Sequence, residues 1–237
     1  MSDRLMRAHM TASYDRGEKI ADAVARLLGE FGYTDEFVEE AVETVLAGQF
    51  EQAGATWAYL VEAAEIADPL GRSIDVDVPF EKMVGSSTHD GTPLEVVYRK
   101  RSAVLFADLI GSGVGRTSAA ESVIGEIRLT ASSDVATAGR KAEQTYGLTD
   151  RRVTGWKRVP NATACRWCRY IATQLYSRED LAPAHRGCGC GTRAVYGDVP
   201  GNIVDREALA EIKADGVPKN YRKRDRLARE ANEAISE

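Results

Sequence analysis

Cys165-Arg166-Trp167-Cys168, then sixteen residues, then His185-Arg186-Gly187-Cys188-Gly189-Cys190: this stretch holds all four cysteines of the chain and one of its three histidines. The spacing reads C-x2-C-x16-H-x2-C-x-C. A C-x2-C knuckle turns two thiolates toward one centre, and His185-x2-Cys188 has the same reach. Cys165, Cys168, His185, Cys188 and Cys190 are thus five candidate ligands for a tetrahedral Zn2+ that takes four. Two ligand sets satisfy the spacing. One is Cys165, Cys168, His185 and either Cys188 or Cys190. The other is all four cysteines, with His185 behind them. A site filled by protein ligands is structural, whereas a catalytic zinc keeps one position for water. The ion would then replace a hydrophobic core that so short a segment cannot build.

A catalytic zinc would also need a base, and Glu179 and Asp180 lie between the two halves of the motif. The zinc deaminases place a His-x-Glu pair before a Pro-Cys-x-x-Cys pair, the reverse of the order here. No catalytic residue is assigned. A thioredoxin-type pair is disfavoured, because no alternating strand and helix pattern surrounds Cys165 and Cys168.

Outside the motif the composition is that of an ordinary globular chain. Its 237 residues suffice for one large domain or two modest ones. No window approaches a membrane span, so no membrane partner is expected. Met1-Ser2-Asp3-Arg4 leads into polar residues with no apolar signal core, which predicts synthesis and residence in a cytosol that keeps thiols reduced. The net charge of -5 hides an asymmetry. Leu27 to Gly71 carries ten acids and no lysine or arginine, while Arg151 to Arg178 carries seven bases and no acid. The basic stretch suggests an anionic neighbour, with Lys157, Arg158, Arg166 and Arg169 as candidate phosphate contacts.

Hydrophobic periodicity predicts a mostly α fold: a helical N-terminal region, a small zinc-organised α+β module and a C-terminal helical tail. The boundaries expected are 1–71 for the helical region, 72–150 for a connector and central helices, 151–197 for the module and 198–237 for the tail. Ile20, Val24, Leu27, Leu28 and Phe31 stripe a helix over 11–31, which Gly32 stops. Thr34 caps a second helix bearing Phe37, Val38, Ala41, Val42, Val45 and Leu46, which Gly48 and Gly54 weaken. A third helical stretch holds Trp57, Leu60, Val61 and Ala64 and ends before Asp68-Pro69-Leu70-Gly71. Residues 72–92 read as a loop-rich connector. Gly111-Ser112-Gly113-Val114-Gly115 reads as a turn, since no Gly-Lys-Ser/Thr follows it. Thr117 or Ser118 would cap a helix with Ile124, Ile127 and Leu129, followed by another over 133–146. Val153, Trp156 and Val159 suit a short strand. His9 and His89 have no neighbouring cysteine and are expected on the surface or in loops.

Three segments carry a family resemblance: Val153-Thr154-Gly155-Trp156-Lys157-Arg158-Val159, Ala164-Cys165-Arg166-Trp167-Cys168 and His185-Arg186-Gly187-Cys188-Gly189-Cys190. Together they resemble the cysteine-histidine module of the phage Mu F-like head morphogenesis proteins, the minor capsid proteins of tailed phages. The likeness is to the branch found in phages of actinobacteria. Gly91-Thr92-Pro93-Leu94-Glu95-Val96-Val97-Tyr98 is similar to a segment of that branch, and the resemblance spans roughly residues 90–196. It implies a helical structural protein, not an enzyme. It further implies association with the portal and other head proteins inside the capsid, and production in the host cytoplasm. Such proteins are present in several copies per head and can contact or accompany packaged double-stranded DNA. Family members without the C-x2-C pair exist. Two other functions compete: a zinc-dependent hydrolase or nuclease acting on phage DNA, and a nucleic-acid-binding zinc protein.

Overall fold

Three long helices carry most of the chain in the computed structural model, which describes residues 3–68, 78–88, 91–178 and 187–197 and, singly, 206, 209, 210 and 214. They are α1 (Asp3–Phe31), α2 (Asp35–Ala67) and α6 (Arg116–Thr149). Between α2 and α6 lie the short helices α3 (Phe80–Met83), α4 (Leu94–Arg99) and α5 (Leu105–Gly111). A π-helical turn over Lys100–Val104 joins α4 to α5. The rest is a three-stranded antiparallel sheet of β1 (Val153–Val159), β2 (Leu175–Tyr176) and β3 (Gly191–Tyr196), with helix α7 (Arg166–Ile171) between β1 and β2. The fold is mostly helical with a small sheet module, as the periodicity predicts.

The start of α2 follows the sequence rules. Gly32 takes a φ of 67° after α1, and Thr34 accepts a hydrogen bond from the Phe37 amide at 3.3 Å. What differs is continuity. The two helical stretches expected within 34–67 are one helix, and so are the two expected within 117–146. An interior glycine costs a helix about 1 kcal/mol, yet Gly48 does not break α2. It lies where the three long helices meet. A Cβ there would come within 2.7 Å of Ile20 on α1 and 3.0 Å of Val135 on α6. Close packing of the backbone outweighs the lost propensity. Nor does Thr117 or Ser118 cap α6, whose N-cap is Gly115 with no side-chain cap bond.

Two apolar clusters fill the bundle. In one, Ala21, Val24 and Leu28 meet Phe37, Ala41 and Val45 of α2, Leu94 and Tyr98 of α4, and Val123, Ile127 and Ala131 of α6. In the other, Trp57, Leu60 and Ala64 of α2 meet Ala138, Ala142 and Tyr146 of α6 together with Val153, Trp156 and Ala194 of the sheet. Residue 71 is therefore no boundary between cores, because α6 completes the core begun by α1 and α2. The sheet module shares that core as well.

β1 sits centrally, paired with β2 through Trp156↔Tyr176 and with β3 through Trp156↔Ala194 and Arg158↔Thr192. The β1–β3 register shifts between Val153 and Gly155. Strict alternation would put Val153 and Trp156 on opposite faces, and the irregularity lets both enter the core. From Trp156 onward alternation resumes, so Arg158 shares the inward face while Lys157 between them is half-exposed.

Of the expected C-terminal tail, residues 206, 209, 210 and 214 are described, each helical. His89, Glu179, Asp180 and His185 fall outside the described residues. His9 is neither in a loop nor on the open surface. It is half-buried on α1 with its ring stacked on Tyr59, centroids 4.3 Å apart.

Candidate metal centre

α7 begins at the first half of the motif, with Cys165 as its N-cap residue. Cys168 and Ile171 of the helix are buried, and Cys165 is exposed at its start. A three-residue step along a helix keeps two side chains near one face, but here only the second cysteine points inward. Cys188 and Cys190 come from the segment that leads into β3. That segment is pinned at three points. The Gly187 amide donates to Ser133 Oγ of α6 at 3.1 Å, with Gly187 at a φ of +72°. A Cβ on Gly189 would meet Asn161 at 2.9 Å, and one on Gly191 would meet Met10 of α1 at 2.6 Å.

These elements bring three sulfurs together. The Sγ atoms of Cys168, Cys188 and Cys190 all lie within 4.8 Å of one another, and Cys168 and Cys188 are 3.3 Å apart. Zinc–sulfur bonds of about 2.3 Å in a tetrahedron place ligand sulfurs about 3.8 Å apart. The observed spacing brackets that value, and none of the cysteines is in a disulfide. The three residues can hold a metal ion. Cys165 is not in this group. Cys188 and Cys190 are both in it, whereas one of the two ligand sets read from the spacing used only one of them.

The sulfurs are not equivalent. Hydrogen bonds from Cys168 and Cys190, together with the nearby Arg158 guanidinium, hold the Cys188 thiol well below its ordinary range. Its contacts with the Cys188 and Cys190 sulfurs, and then burial, push Cys168 up. Cys190 is also raised. Its hydrogen bond with Cys168 works the other way, but that with Cys188 and its burial prevail. Three sulfurs this close together, none in a disulfide, are chemically suited to a cation.

Arg158, one of the candidate phosphate contacts, is 2% exposed and lies against the cysteine cluster. Its Nη2 donates to Cys188 Sγ at 2.9 Å and its Nη1 to Thr192 Oγ1 at 3.4 Å. Thr192 and the buried Glu143 of α6 line the same end of one cleft as Arg158. Burial pushes Glu143 up, against the opposing pull of Arg140 and Arg158. Burial alone would lower the guanidinium of Arg158, but Cys188 and Glu143 hold it charged. The other basic candidates stay accessible: Lys157 and Arg166 are half-buried and Arg169 is exposed. The signal for Arg158 was its place two residues from Trp156 on one strand face. Glu143 had none, since only the packing of α6 on the sheet brings it near.

The second half of the motif also borders a cleft of about 1040 Å³ between α1, α6 and the π-helical turn. Arg140, Glu143, Arg158 and Thr192 line its end nearest the cysteines. Comparison with models of protein families, with curated proteins and with solved structures finds no match. What defines this chain is therefore its own geometry: a three-helix bundle bearing a small sheet that carries a three-cysteine cluster.

Proposed function

We propose that this chain is a structural minor capsid protein of a tailed phage, docked on the portal inside the head. Its ion is zinc, held by Cys168, Cys188, Cys190 and a fourth ligand from Cys165 or His185. The observation that carries the reading is the convergence of three motif cysteines alongside a long helical bundle. The resemblance in residues 153–159, 164–168 and 185–190 supports the phage assignment. The ion's task is to fix α7 and the 187–190 segment against β1. A structural ion suits a module whose buried apolar residues on the sheet, Val153, Trp156 and Ala194, belong to the core it shares with the bundle.

The helical body supplies the partner surface. Glu36, Glu39, Glu40 and Glu43 line an exposed acidic face of α2. DNA repels such a face, so it turns toward protein. A contact with packaged DNA rests instead on Lys157, Arg166 and Arg169, and is salt-sensitive and sequence-independent. The test is co-purification of the full chain with portal protein and with assembled heads, beside a gel shift on duplex DNA at two salt concentrations. Retention with portal at both salts supports the reading. Salt-steep DNA retention with no portal binding contradicts it and favours a nucleic-acid-binding zinc protein.

A further inference from the structure

The buried polar group that the structural role of the ion leaves unexplained is the guanidinium of Arg158. We propose that Arg158 is the charge-compensating, positioning residue of the cysteine metal centre, and that Thr192 and Glu143 hold it there from β3 and α6. The inference rests on the metal reading above and adds to it a group that touches the ligand and not the ion.

Charge makes the first argument. A divalent ion bound by three thiolates and a neutral histidine carries one net negative charge, and with four thiolates it carries two. Such a negative centre, with Cys168 buried and Cys188 and Cys190 half-buried, is stabilised by a nearby cation. Arg158, on a central strand and 2% exposed, already directs Nη2 at Cys188 Sγ from 2.9 Å. A guanidinium so buried costs several kcal/mol unless it is paired, and the sulfur cluster is its partner on one side.

Geometry makes the second. The opposite side of the guanidinium meets Thr192 Oγ1 at 3.4 Å, and the buried Glu143 of α6 lines the same end of the cleft and acts on Arg158 through its charge. Arg158 and Thr192 are direct cross-strand partners in the β1–β3 ladder, so backbone register sets their approach. Hydrogen bonds thus run from Cys188 Sγ through Arg158 to Thr192, beside a buried carboxyl group on α6. Arg158 Nε and Glu143 Oε2 make no hydrogen bond in this cluster, so neither group is saturated by its protein neighbours. Arg140 and Arg158 both act on Glu143 through their charge, and only Arg158 of the two also hydrogen-bonds a cysteine sulfur among the described contacts. Ion binding and the docking of the sheet on α6 are thereby coupled through one side chain.

The experiment measures zinc affinity of the full chain by competition with a chromophoric chelator, and thermal unfolding with and without zinc. The variants are R158M, R158K and T192V. Partners that orient metal ligands typically contribute 10–100-fold to affinity. R158M is expected to weaken zinc binding by at least tenfold and to lose more stability with zinc than without it. R158K recovers part of the affinity by restoring the charge. T192V, which should fold even if R158M does not, weakens zinc by a smaller factor. Wild-type affinity in both R158M and T192V, or equal destabilisation of the zinc-loaded and zinc-free forms, overturns the proposal. A wild-type chain that binds no zinc overturns the metal reading itself, a separately visible outcome.

Discussion

Replacing Gly147 by alanine tests whether the sheet that carries the cysteines is docked on α6 as described. Gly147 lies near the end of α6, and a Cβ there would sit 2.5 Å from Cζ2 of Trp156 and 3.1 Å from Cε2. Ordinary carbon contacts are about 3.5–4.0 Å, so the ring or the helix must move by about 1 Å. Trp156 has little freedom to do so. It is fully buried, and its Nε1 donates to the Arg178 carbonyl at 3.1 Å. Arg178 in turn donates from Nε to the Gly147 carbonyl at 2.6 Å, which ties the ring's partner to the same helix end. Overpacking a closed core costs about 1–3 kcal/mol, and the depth of this clash favours the upper end. Alanine returns about 1 kcal/mol of helix propensity. The net expectation is a loss of about 2 kcal/mol, or roughly 4–8 °C in melting temperature for a chain of this size. Gly125 is the control. It is exposed on the same helix, and a Cβ there meets nothing within 4 Å. G125A should stabilise by up to about 1 kcal/mol. Urea unfolding followed by circular dichroism reads both variants. A G147A chain as stable as wild type would refute the docking of Trp156 on α6, and with it the placement of Arg158 two residues along the same face.

The two cysteines of the C-x2-C pair should separate on mutation, because Cys168 is buried in the sulfur cluster and Cys165 is exposed outside it. C168S should abolish tight zinc binding and expose residues 150–196 to protease, while C165S should cost less on both counts; equal effects would contradict the grouping of sulfurs. His9 gives a pH signature. Burial, then Arg16, lowers it from 6.5 to about 4, so the folded chain resists protonation that the unfolded chain accepts. Its contribution is complete above pH 6.5 and is lost as pH falls toward 4. That amounts to about 3 kcal/mol at 1.36 kcal/mol per unit. In H9F, which keeps a ring to stack on Tyr59, urea titrations across this window should lose most of that slope. An unchanged slope would assign it to other groups.

The helices were legible because their signals are local. The stripe of Val24, Leu28, Phe37, Ala41 and Val45 has helical spacing, and Gly32 and Thr34 mark the break between the first two helices. Their continuity was not legible. Gly48 reads as a weakness until Ile20 and Val135 are seen to occupy the space its side chain would need. The same holds at the metal centre. Spacing gathers five donors, but it does not say that Cys165 stays at the exposed start of α7 while Cys168 turns inward. A basic run reads as a surface, and Lys157, Arg166 and Arg169 behave so. Arg158 does not, because strand alternation places it on the face of Trp156 and a register pair supplies Thr192. Glu143 was invisible from sequence, being an acid on a helix whose partner lies beyond the next turn of chain.

The central claim is that Cys168, Cys188 and Cys190 share one metal ion. The most direct measurement is the zinc content of the purified full chain, taken together with its count of reactive thiols before and after chelation. The account predicts one zinc per chain, with these three thiols protected from alkylation until the metal is removed. A chain without metal, whose Cys168, Cys188 and Cys190 react as freely before chelation as after it, would contradict it.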